Sequence, residues 1–102
     1  MPISIDGHYI AWHKVPVPYM IDGVQRYVLH GIPPGSFLTA LFSNNLKESF
    51  ARADENNTAA MRTWVIFMRW ELPSQCHGSP EAVADWIAAG GMLGREKVDA
   101  TG

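Results

Sequence analysis

His30-Gly31-Ile32-Pro33-Pro34-Gly35-Ser36-Phe37 is the stretch on which the fold turns. Gly31 sits where a left-handed residue closes a helix, and Pro33-Pro34 cannot continue one. Gly35-Ser36 then supplies a small residue and a hydroxyl for the next helix start, so Ser36 is read as an N-cap. A second junction, Cys76-His77-Gly78-Ser79-Pro80-Glu81, repeats the device with Ser79 as cap, Pro80 at the first helical position and Glu81 in the first turn. Stop and start signals this close together define a helical core.

Working outward, Met20, Val24, Tyr27 and Val28 form an apolar stripe at helical spacing, which predicts a helix from Pro18 to His30, weakened by Gly23. His30 in its last turn suits the helix dipole. After Ser36, Phe37, Ala40 and Leu41 make an inner face. Asn44-Asn45 breaks or bends that helix before Leu46, Phe50 and Ala53 resume an apolar side. Asp54 caps the strongest predicted helix, Glu55 to Leu72, whose stripe is Met61, Trp64, Val65, Met68 and Leu72, widened by Ala60 and Phe67; Pro73 ends it. Val83, Trp86 and Ile87 face inward on the last helix, which Gly90-Gly91 closes.

The first 17 residues read as an extended arm or short β-hairpin, with Asp6-Gly7 as the turn and Pro2, Pro16 and Pro18 confining it to an edge. The expected organisation is an arm at 1–17, a helical domain at 18–91 and a frayed tail at 92–102. The fold class is mainly α, a small bundle of three to four helices.

Composition narrows the function classes. With 102 residues, 47% hydrophobic and 18% charged, the chain has enough apolar material for one core. Four Trp, four Phe and three Tyr exceed what so small a core hides completely, which favours a homo-oligomeric contact or a partner-binding face. Eight scattered Lys and Arg under a net charge of −2 provide no stripe for duplex nucleic acid. One cysteine excludes an internal disulfide and suits a reducing cytosol. No signal peptide or membrane span is visible, so a soluble cytoplasmic protein is expected.

Candidate chemistry is sparse. His8, His13, His30, Cys76 and His77 lack metal-ligand spacing, so neither metal nor cofactor is expected. Cys76 has no obvious base, because the adjacent His77 side chain diverges from it, and reads as a buried inert thiol. Arg52 is expected to pair with Asp54, a local ion pair worth little if exposed. Anion binding has a physical mechanism: Gly35-Ser36 and Gly78-Ser79 place free N–H groups at helix starts, with Arg26, Arg52, Arg62 or Arg69 in support. Ordinary capping explains the same residues. Tyr9, Trp12 and Trp70 lie off the apolar stripes and are the candidate partner contacts.

Between Gln25 and Trp86 the chain resembles a group of small proteins encoded by tailed bacteriophages and prophages. The likeness lies in Arg26-Tyr27-Val28-Leu29-His30-Gly31-Ile32-Pro33-Pro34-Gly35-Ser36-Phe37-Leu38, in Asn45-Leu46 and Arg52-Ala53-Asp54, and in Pro73-Ser74-Gln75-Cys76-His77-Gly78-Ser79-Pro80. Where the group commonly has an aromatic after the cysteine, this chain has His77; where a Tyr-Asn type of pair often precedes the loop, it has Arg69-Trp70-Glu71. The group has no assigned catalytic residues, so none is carried across. The resemblance implies a phage accessory protein acting in the bacterial cytoplasm, of the kind that counters host defences. The expected function is therefore non-enzymatic binding of a host protein. The alternatives are a sponge for a nucleotide or other phosphate-bearing signal, and a small enzyme using Cys76.

Overall fold

Gly31 adopts the left-handed conformation that its place after a helix predicts, with φ 70°. It ends helix α1 (Ile21–His30), and its N–H reaches back to the Tyr27 carbonyl at 2.9 Å. The computed structural model describes residues 3–5 and 8–94, with side chains from Ile10 onward. Five more helices follow: α2 (Ser36–Phe42), α3 (Leu46–Arg52), α4 (Glu55–Ala59), α5 (Met61–Glu71) and α6 (Pro80–Ala88). Short 3-10 turns stand at Trp12–Lys14, Pro18–Met20 and Ser74–Cys76. The protein is mainly helical, as the sequence predicts, and the larger number of helices reflects two breaks.

Asn44-Asn45 makes the first break by dividing two tasks. Asn44, at φ 63°, stops α2: its N–H bonds Leu41 O at 3.1 Å while the Asn45 N–H bonds Ala40 O at 3.0 Å, the Schellman pattern. Asn45 then caps α3 by accepting the Glu48 N–H at 3.1 Å. The second break is at Ala60, where the single helix expected from Glu55 to Leu72 divides into α4 and α5. A buried hydrogen bond from Trp64 Nε1 to Asn57 Oδ1, 2.9 Å, ties the two pieces. That bond satisfies both groups, each of which would be costly to bury unpaired.

Two of the predicted caps are in place: Asp54 accepts from Asn57 N at 2.8 Å and Ser79 from Ala82 N at 3.0 Å. The third is corrected. Gly35 is the cap of α2 and Ser36 its first residue, without a side-chain cap bond. Arg52 is likewise corrected. It pairs with Glu48, one turn back at 2.6 Å, while Asp54 accepts from Asn57 N–H and the Tyr19 hydroxyl.

The N-terminal segment is a hairpin of β1 (Ile3–Ile5) and β2 (His8–Ile10), antiparallel with Ile3 opposite Ile10. The expected Asp6-Gly7 turn falls outside the described residues. Beyond the hairpin the arm is integral to the core, since Ile10, Trp12, Val15 and Val17 are all buried. At the other end, residues 91–94 are helical, and Met92 and Leu93 pack on the core; the rest of the expected tail lies outside the described residues.

The centre is aromatic. Tyr27 stacks on Phe42 with centroids 5.0 Å apart, and Trp64 meets Phe37 and Phe67 edge-on at 6.0 and 6.2 Å. The second junction wraps this centre: the Tyr27 hydroxyl donates to Cys76 O at 2.6 Å, and Gly78 N–H donates to Phe42 O at 2.7 Å. Gly23, facing Leu38 Cδ1 at 3.7 Å from an added Cβ, has room for a methyl group in mid-helix. Gly23→Ala should therefore stabilise the protein by about 0.5–1 kcal/mol, read as a higher urea midpoint.

Candidate functional site

A groove of about 450 Å³ runs between α3 and α5. Its apolar floor and walls come from Leu41, Leu46, Met61, Val65, Met68 and Leu72. Asn44, Asn45, Ser74 and His77 form its polar end, and Arg69 its flank. The α2–α3 corner creates the opening. Because Asn44-Asn45 resets the helical phase, Leu46 and Phe50 point outward, 69% and 46% exposed, instead of continuing the inner face of α2; Ser49 is the buried residue of α3.

On α5 the buried arc is Met61, Trp64, Phe67 and Met68. Val65 lies roughly a quarter turn from its centre and is 55% exposed, which corrects its expected place in the core. Ile66 and Trp70 face outward, and Trp70 is 69% exposed. The Arg69 guanidinium sits 5.3 Å from the Trp70 ring centroid, within cation–π range. Beyond Trp70, a smaller hollow of about 350 Å³ is bounded by Lys14, Thr63, Ile66 and Glu71. There Glu71 accepts the Ala11 N–H at 3.1 Å and pairs with Lys14 at 3.5 Å.

His77 lines the groove, and burial holds its imidazole below the ordinary histidine range, partly offset by a hydrogen bond to the Met68 carbonyl. An unfolded chain takes up this proton first as pH falls. The stability due to neutral His77 is therefore complete above about pH 6.5 and lost progressively below it. The urea midpoint should fall between pH 7 and 5, and His77→Gln should flatten that decline.

The anion-site candidates divide. Gly35, Ser36 and Arg52 converge on a separate hollow of about 490 Å³, but Glu48 lines it too and holds the Arg52 guanidinium. Arg26 is exposed on α1, and neither it nor Gly78 or Ser79 lines that hollow. Ser79 is occupied as a cap. Of the expected partner contacts, Trp70 is open to solvent, Trp12 is only 4% exposed within the core, and Tyr9 lies outside the described side chains. Trp12 goes inward because Val15 and Val17 anchor the same arm against the helices.

Cys76 is fully buried, and desolvation pushes its thiol up to about 12, leaving negligible thiolate at neutral pH. Among the described residues no three His, Cys, Asp or Glu side chains gather as a metal site, and no helix is long and apolar enough to cross a membrane. Comparison with protein-family models, curated proteins and solved structures finds no match for this chain. The residues that sequence reasoning missed are Leu46, Phe50, Val65 and Ile66. Only the helix break at Asn44-Asn45 signals the first two.

Proposed function

We propose that this chain is a non-enzymatic binding protein, a phage-encoded accessory factor that counters a host defence by occupying a host protein in the bacterial cytoplasm. One observation carries the binding reading: exposed Leu46 and Val65 line an apolar groove beside a well-filled core, and Ile66 and Trp70 are exposed around a second hollow on α5. Exposed apolar side chains lining a groove mark an interaction site more often than they mark chemistry. The resemblance to small phage proteins supplies the setting. The inaccessible Cys76 thiol argues against the enzyme alternative.

The nucleotide-sponge reading is weaker. Its convergent residues Gly35, Ser36 and Arg52 share their hollow with the Glu48 carboxylate, which repels phosphate and neutralises the arginine. A panel of cyclic and linear nucleotides should leave the melting temperature unchanged, since a ligand specific to the native state would raise it. Capture from a bacterial host lysate should retain one host protein reproducibly. Expressing the chain in a defended host should restore plaque formation, and Cys76→Ala should restore it equally. A nucleotide-induced rise in melting temperature, or loss of plaque restoration with Cys76→Ala in a variant that stays folded, would overturn the proposal.

A further inference from the structure

Among the described residues lining the α3–α5 groove the charged one is Arg69, although the whole chain is slightly acidic. On α5, Arg62 and Arg69 bracket Val65 at positions −3 and +4, on the same side of the helix and about 10 Å apart along it. Among the described residues neither arginine has an ion-pair partner, and the Arg69 guanidinium lies over the Trp70 ring. The nearby carboxylates are engaged: Glu48 holds Arg52, and Glu71 holds Lys14 and the Ala11 N–H. What remains is an apolar trough with uncompensated positive charge along its α5 bank.

Resting on the reading of the chain as a partner-binding protein, we infer that this groove receives an acidic amphipathic helix of a host protein. The helix seats an apolar side chain against Met61, Val65 and Met68, and its carboxylates, about two turns apart, meet Arg62 and Arg69. The two methionines give the trough an adaptable lining for an aliphatic or aromatic anchor. Charge complementarity selects this occupant over a second copy of the chain. A two-fold contact through this face would bring Arg62 and Arg69 of one copy against those of the other.

The test is selection of a random library of short helical peptides, displayed on yeast, against the full chain. Recovered peptides should carry Asp or Glu about seven residues apart, flanking Leu, Ile, Phe or Met. Their binding should weaken about tenfold or more with Val65→Asp and at high salt. Arg62→Glu with Arg69→Glu should switch the recovered charge from acidic to basic. These positions are solvent-exposed, so the variants should keep the wild-type circular dichroism and melting temperature. Recovery of peptides with no acidic bias, or binding indifferent to Val65→Asp, would overturn the inference. So would concentration-dependent self-association, or binding to phosphatidylglycerol vesicles, that Val65→Asp abolishes. If lysate capture retains the same host protein with wild type and with Val65→Asp, the groove assignment fails while the partner-binding reading stands. Acidic peptides recovered with no host protein captured would do the opposite, upholding the groove's chemistry and overturning the host-protein reading.

Discussion

Gly31→Ala should cost about 2–5 kcal/mol and lower the melting temperature by about 10 °C or more. Two penalties add at this position. An alanine held in the left-handed region, at φ 70°, costs about 1–2 kcal/mol by itself. Its Cβ would also stand 2.6 Å from Gly91 N and 2.9 Å from Gly90 C, and backbone cannot rotate aside as a side chain can. The end of α1 and the turn after α6 must separate, at a cost comparable to overpacking a core, about 1–3 kcal/mol. In a domain whose whole stability is about 5–15 kcal/mol, that is a large share. Gly91→Ala should behave alike, because its Cβ would meet Gly31 N at 2.5 Å and His30 N at 2.7 Å. Calorimetry of Gly31→Ala beside Gly23→Ala decides the matter, since the two substitutions lie on or next to the same helix and should shift the melting temperature in opposite directions.

The contrast between Gly23 and Gly31 also shows what a sequence can disclose. Gly31 is legible as a stop signal because its conformation is a local demand, set by the helix before it and the prolines after it. Its contact with Gly91 is not legible, because nothing local links residues sixty positions apart. The same division runs through the caps: Asp54 and Ser79 act within three residues of themselves and are readable. Ser36 misleads because Gly35, one residue earlier, is also tolerated at a cap position and occupies it here.

The candidate groove is hidden for a different reason. Periodicity can be extended only through a continuous helix, and Asn44-Asn45 interrupts one with a Schellman turn that rotates the following segment. Leu46 and Phe50 then look inward on paper and outward in the fold. Val65 shows how narrow the margin is. It lies at the edge of the buried arc of α5, where a facing helix would have covered it, but α3 presents an open trough there instead. Only Trp70, well off the apolar stripe, can be placed outside from the sequence.

Trp86→Ala should be nearly as damaging as Gly31→Ala, at about 3–5 kcal/mol, and its companion Trp86→Phe separates the causes. The indole is 2% exposed, so truncation to alanine opens a large cavity between α6 and the end of α1. Its Nε1 donates to Tyr27 O at 3.1 Å and Val28 O at 3.2 Å, carbonyls in the last turns of α1. Phenylalanine retains most of the buried ring and loses the donor. The Tyr27 carbonyl keeps the Gly31 N–H, which leaves the loss concentrated on Val28, so Trp86→Phe should cost about 1–2 kcal/mol. Urea unfolding of both variants gives the two values directly. Equal costs would mean that the hydrogen bonds, rather than the packed ring, hold α6 in place. Because Trp86 and the Gly31–Gly91 contact clamp the same joint, Trp86→Phe combined with Gly31→Ala should cost less than the sum of the two alone. Once one clamp has parted the helices, the other has less left to lose.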